Sequence, residues 1–265
     1  MATTITYNSY SLTTSLDADP SITSRIVDIY NSPADKVQSE SIATRNGSKF
    51  LARYYESKIM RVEGNIRASS QSGLQAAIDD FHKNLSPEEN NLDIGYADGS
   101  TRRYVVTPMA VSIAQSGGNV KYVPFTVDFL CSDPFGKATS TTTITHAGIT
   151  SSPSSHNDSF TGSAPMLPTI TIDVNSETNM TQIMVEHTFG SATERVIINP
   201  SGGFAASDTV VVNCNTATVT INGNPSDYTG YPLQYRGGTN NTTLTVTDTG
   251  AFDVDMEIVY TAAYL

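Results

Sequence analysis

The strongest constraint on the fold is the run Val123–Phe135, VPFTVDFLCSDPF, which has one apolar face and an abrupt stop. Val123, Phe125, Val127, Phe129 and Cys131 alternate with Pro124, Thr126, Asp128, Leu130 and Ser132. Side chains on a strand point alternately to opposite faces, so this period predicts a strand with one face in a core. Asp133-Pro134 then ends it, because proline brings no N–H to a ladder and drives the residue before it toward extended or turn geometry. Phe135 and Gly136 complete a corner, and Asp133, Pro134 and Phe135 are read together as a structural site.

The same period recurs upstream. Residues 3–12 read as a short strand or strand pair, and Ile22–Tyr30 as another, with Ile26, Asp28 and Tyr30 on one face. Lys58–Arg67 places Met60, Val62, Gly64 and Ile66 inward against Arg61, Glu63, Asn65 and Arg67. A single helix interrupts the strands: Leu74, Ala77, Ile78, Phe81 and Leu85 recur at helical spacing, with Ser72 and Gln75 fitting a capping box and Ser86-Pro87 a stop. Two more strands, Asn91–Tyr96 and Arg103–Ala114, lead into the opening run through the turn dipeptides Asp98-Gly99 and Gly117-Gly118. The stretch Asn31–Phe50 lacks this alternation and reads as a long exposed loop or arm, a class of segment that is often functional.

After Phe135 the character of the chain changes. Residues 137–168 are dominated by Ser, Thr, Gly and Pro and read as a weakly ordered crossing that admits an edge strand at Thr141–Thr145. From Pro168 onward short alternating segments return, carried by Ile170, Ile183, Val196, Val210, Val219, Leu244 and Val254 and separated by turn signals such as Asn199-Pro200 and Asn222-Gly223. That regularity predicts a β-sandwich. The expected architecture is therefore mainly β: residues 1–136 as a sheet or split-barrel-like unit with one helix, and residues 137–265 as the crossing followed by a sandwich.

Charge and composition limit the function. The chain has 265 residues and a formal net charge of −11, which disfavours a surface that collects phosphate backbones, so no specific nucleic-acid partner is expected. Arg61, Arg67, Arg102 and Arg103 read as a solvated sheet face. The amino terminus has no basic segment followed by an apolar run and no window is long enough to span a bilayer, which predicts synthesis in the cytoplasm without membrane insertion. Cys131 and Cys214, the only cysteines, share the inward phase of their strands and read as small reduced core residues.

Candidate chemistry is sparse. His146 and His156 lie in the crossing without a partner at metal-ligand spacing and are expected to be exposed, and His187 alternates with apolar residues as a structural strand histidine. No phosphate loop, nucleophile elbow or zinc-protease motif is present, so neither an enzyme nor a cofactor is expected. Tyr228, Tyr231 and Tyr235 fall in a Gly/Pro-rich loop, where they either close one end of the sandwich or offer rings for stacking on a host surface glycan.

Three places resemble a known family, the distal tail proteins of long-tailed bacteriophages. They are FLCSDPFGK at Phe129–Lys137, APMLPTITIDV at Ala164–Val174, and the closing series SDTVVVNCNTATVTING at Ser207–Gly223, YRGGTNNTTLTVTDTG at Tyr235–Gly250 and VDMEIVYTAAYL at Val254–Leu265. The resemblance implies a structural virion protein at the tail tip. It also implies an amino-terminal domain that assembles as a sixfold ring and a carboxy-terminal galectin-like sandwich on its outside. The implied partners are further copies of the chain, the tail tube protein and the tip or baseplate proteins. The carbohydrate-binding alternative would use the sandwich for host attachment. A ring through which DNA passes would gain from an acidic lumen, so clustered carboxylates are expected on its inner wall.

Overall fold

The computed structural model describes residues 2–27, 31–41, 48–85, 88–114, 121–190 and 192–265. It divides into two compact units, Met1–Lys137 with Leu265, and Ala138–Tyr264.

In the first unit the strands are β1 (Ala2–Tyr7), β2 (Tyr10–Ser11), β3 (Ser21–Ile26), β4 (Asp35–Ser41), β5 (Ser48–Tyr55) and β6 (Lys58–Arg67). The helix α1 (Gln71–Asn84) follows, and then β7 (Asn90–Tyr96), β8 (Thr101–Ile113) and β9 (Tyr122–Cys131). All pairings are antiparallel, in the order β3-β6-β9-β8-β7-β1-β2. Leu12 N–H donates to Ile5 O at 2.8 Å and Thr14 N–H to Ile22 O at 2.7 Å, so the segment after β2 bridges β1 and β3 and curls the sheet back on itself. The opening run is confirmed as β9, paired on both sides by β6 and β8. Its inward residues Val123, Phe125, Val127, Phe129 and Cys131 are each no more than 2% exposed. Met60, Val62 and Ile66 on β6 face the same core. The strand expected over Ile22–Tyr30 is β3; residues 28–30 lie outside the described residues.

The helix covers this core with Leu74, Ala77 and Phe81, the Phe81 ring lying 4.6 Å from Phe125 and 6.4 Å from Tyr10. Its cap differs from the expected one. Ser70, not Ser72, is extended and accepts from Gly73 N–H at 3.1 Å, which satisfies one of the four N–H groups a helix start leaves open. Ser72 already lies inside the first turn, where its hydroxyl meets only that of Ser70. Ser70→Ala should therefore cost about 1 kcal/mol in urea unfolding, and Ser72→Ala less than about 0.5 kcal/mol. The proposed stop, Ser86-Pro87, lies outside the described residues.

Two expectations are corrected. The stretch read as a loop or arm contains β4 and the start of β5, paired from Asp35↔Tyr55 to Ser41↔Ser48 as a separate two-stranded ribbon. A ribbon satisfies its backbone through its own ladder, and the pairing needs no apolar alternation in the sequence to announce it. The stretch read as a weakly ordered crossing contains two long strands, β10 (Gly136–Ile149) and β11 (Ser154–Phe160). On β11 Ser154, His156 and Asp158 are half-buried between exposed neighbours, so the alternation exists in burial but not in hydrophobicity, while β10 is exposed from Thr139 to Thr143 and half-buried at His146.

The second unit continues with β12 (Thr169–Ser176), β13 (Gln182–Phe189), β14 (Ala192–Ile198), β15 (Thr209–Asn213), β16 (Thr218–Ile221), β17 (Asn224–Ser226), β18 (Tyr228–Gly230), β19 (Gly238–Thr247) and β20 (Asp253–Tyr264). One sheet runs β17-β16-β15-β12-β20-β10 and the other β11-β19-β13-β14-β18. Ile170, Ile172, Val210, Val254, Met256 and Ile258 from the first meet Ile183, Val185, Val196, Ile198 and Leu244 from the second, all fully or almost fully buried. This is the two-sheet sandwich that the alternating segments predict.

Candidate functional site

The corner after β9 is built from within. Asp133 Oδ1 accepts from Phe135 N–H at 3.2 Å, closing a tight turn, and Oδ2 meets Lys137 Nζ at 2.7 Å. The ion pair is largely exposed and contributes little; the buried Pro134 and the backbone turn fix the geometry. Gly136 follows because nothing larger fits: a Cβ there would lie 2.6 Å from the Tyr104 ring. Phe135 stands edge-on to Tyr55 at 5.1 Å, so the corner also braces the base of the β4–β5 ribbon.

That base is the ribbon's attachment to its unit. Glu56 N–H donates to Ala34 O at 2.9 Å, and the buried Lys58 donates from Nζ to Asn31 O at 2.7 Å. Beyond it, Lys36, Val37 and Gln38 are exposed, Val37 at 55%. The outer face of the neighbouring sheet carries Arg61 bound through two hydrogen bonds to Asp128 and Arg103 bound in the same way to Asp93. These arginines are committed to carboxylates next to them, which holds Asp128 below the usual carboxylate range and is consistent with a solvated face rather than a phosphate site.

In the sandwich the three loop tyrosines part company. Tyr231 is 76% exposed, Tyr228 is half-buried with its hydroxyl donating to Ala217 O at 2.9 Å, and Tyr235 is fully buried. Tyr235 bonds Thr242 Oγ1 at 3.0 Å and packs on Phe160 at 4.7 Å and His187 at 4.1 Å, and burial pushes its hydroxyl pKa up. A ring with both faces occupied cannot stack on sugar, so Tyr235 is corrected from a glycan-contact candidate to a core residue.

Sequence reasoning missed a polar layer inside the sandwich. Register places His156, Thr242, His187 and Glu194 in one row across β11, β19, β13 and β14, with Asp158 opposite Asn240 one step along. Asn240 donates through Nδ2 to Arg236 O and Gly238 O, so its Oδ1 accepts, and His187 Nε2–H is the donor at 2.9 Å. His146 reaches in from β10: its ring stacks on His156 at 3.8 Å and its Nε2–H donates to Asp158 at 2.9 Å. The expectation that His146 and His156 are exposed is thus overturned. No sequence signal marked the meeting of His146 with His156, because they lie on different strands.

Among the described residues no group of three or more His, Cys, Asp or Glu is arranged to hold a metal, and no helix is long and apolar enough to cross a membrane. Both cysteines are buried and free, and burial pushes Cys131 up to about 12 and Cys214 up to about 11, far from a reactive thiolate.

Comparison with known proteins matches both units. Residues 6–131 fit the phage tail protein RIFT-related domain, and residues 161–264 the C-terminal domain of a siphovirus-type tail component. The crystal structure of the SPP1 Dit (gp 19.1) protein, described as a hub adsorption apparatus in phages infecting Gram-positive hosts, covers 99% of this chain and 99% of its own. It agrees at a TM-score of 0.64 and 17% identity, a likeness of fold. A chain of the phage P2 baseplate in its activated conformation with calcium covers 89% of this chain and 90% of its own at 9% identity, but its TM-score of 0.36 is too low to weigh. No curated protein matches in sequence. With the two tail domains matched in order along a chain of this fold, the protein belongs to the distal tail proteins of siphovirus-type bacteriophages.

Proposed function

We propose that this structural tail component closes into a sixfold ring in which the β4–β5 ribbon of each subunit reaches its neighbour, and that the ring joins the tail tube to the tip or baseplate proteins without catalysing a reaction. The observation that carries the reading is the ribbon itself. Among the described residues it pairs with no other strand of its own chain, and it presents Val37 to solvent. Two strands without a third have marginal stability in water, so a second surface is needed to hold them. A subunit that offers one surface and receives another makes a heterologous contact, which closes into a ring when the rotation is right. The net charge of −11 supports an acidic inner wall that would let DNA pass without sticking.

Asp35 and Tyr55 are paired across the base of the ribbon, so a deletion that replaces residues 36–54 with a two-residue Asn-Gly turn closes the ladder there without straining the unit. Native mass spectrometry and negative-stain images should show sixfold rings for the full chain and folded monomers for the deletion. Rings that persist in the deletion would remove the ribbon from the assembly, and a monomeric full chain would refute ring closure by the chain alone.

A further inference from the structure

The cluster that the function leaves unused is His146, His156 and Asp158. It joins the two sheets of the sandwich at a strand that has a neighbour on one side only: β11 ends its sheet, paired with β19 alone. The connection from β10 to β11 is short, and Ser152 ties it to β19 by donating to Val246 O at 2.7 Å and accepting from Val246 N–H at 2.8 Å. Beyond that tie, the stacked imidazoles and the His146–Asp158 bond span the gap between the sheets.

We propose that this cluster is a pH-operated latch: with no more than one proton on its two imidazoles it holds β11 against the facing sheet, and with a second proton it drives the edge of the sandwich open. The charge count carries the argument. Asp158 is the one carboxylate in the cluster, and its side chain is 12% exposed beside a His146 side chain at 16%. One imidazolium is compensated by that carboxylate; two cationic rings stacked at 3.8 Å are not, and the low exposure of His146 and Asp158 limits screening of the repulsion. Among the described residues no second carboxylate bonds to the cluster, and Asp255 on β20 accepts from Gly148 N–H at 2.7 Å. On β11, Ser154 Oγ lies 3.1 Å from His156 Nε2, and on β19 the residues opposite His156 and Asp158 are the neutral Thr242 and Asn240. Deeper between the sheets, Tyr235 and Tyr260 pack on Phe160. Glu194 is spent on Gln234 N–H at 2.6 Å and faces His187 Nδ1 at 3.8 Å.

Burial first, and the His146 ring second, hold His156 below the ordinary imidazole pKa, with Asp158 opposing them. A group whose pKa is depressed by folding adds stability above its unfolded value, about 6.5 for histidine, and that stability is lost as pH falls through the lower folded value. The latch is therefore closed at neutral pH and opens on acidification.

Hydrogen exchange of the full-length protein, corrected for the intrinsic pH dependence of exchange, reads the latch directly at residues 154–160. Between pH 7.5 and 5.5 the protection of this strand should fall several-fold as the second imidazole takes up its proton. His156→Gln should reduce the fall to less than about twofold, and His146→Gln should do the same, which keeps the test open if one variant does not fold. Asp158→Asn removes the compensating charge and should deepen the fall beyond the wild type. Protection that is flat with pH in the wild type, or that falls equally in the glutamine variants, would overturn the proposal; a fall in Asp158→Asn no deeper than in the wild type would overturn the charge argument behind it.

Discussion

Replacing Phe129 with alanine should lower the unfolding free energy of the first unit by about 3–5 kcal/mol, read as a fall in the urea midpoint with an unchanged slope. Phe129 is fully buried at the middle of the most regular strand, its ring centroid 5.3 Å from that of Tyr7, itself fully buried. β9 is held on both sides, by β6 at Met60 and by β8 at Pro108, so the backbone cannot move in to close the space a missing ring leaves. The cost is therefore the lost transfer free energy together with an unrelaxed cavity. A variant as stable as the wild type would mean that Phe129 does not face the core.

The corresponding change in the sandwich is Tyr235→Ala, with an expected loss of about 3–5 kcal/mol. It removes a ring packed between Phe160 and His187 and leaves Thr242, also fully buried, without its partner at 3.0 Å. Tyr231→Ala, four residues earlier in the same loop, should change stability by less than about 0.5 kcal/mol, because the Tyr231 ring is mostly in solvent. Circular dichroism melts of the two variants separate the roles of these tyrosines. Equal losses would mean that exposure is not what distinguishes them.

How much of the protein was legible in advance depended on whether a strand buries an apolar face. β6, β9, β12, β13 and β20 announce themselves because one side chain in two is Val, Ile, Met or Phe and faces a core. The helix was legible for the same reason at a different period, although its cap lay two residues earlier than expected: Ser70 and Ser72 are equally good capping residues in isolation, and only the path of the chain out of β6 chooses between them. The ribbon and the strands β10 and β11 were misread because their ladders are satisfied through backbone pairing, while β4, β10 and β11 carry mainly polar side chains.

The candidate elements follow the same division. The corner Asp133-Pro134-Phe135 could be read from proline chemistry, but its contact with Tyr55 joins residues far apart in the chain. Tyr228, Tyr231 and Tyr235 look alike in sequence, and burial alone makes one a core residue and another a surface ring. The histidine cluster had no legible signal, because His146 and His156 belong to facing sheets and meet only once both sheets have formed.

The sequence by itself determined the fold class, the inward face of the apolar strands, the single helix and the family, since each rests on local periodicity or on motifs within one stretch. Only the tertiary structure decided the pairing of the ribbon, the strands of the polar crossing, the fate of the three tyrosines and the meeting of His146 with His156 and Asp158. These depend on long-range register and burial, and a polar side chain carries no mark of whether water or another strand will satisfy it.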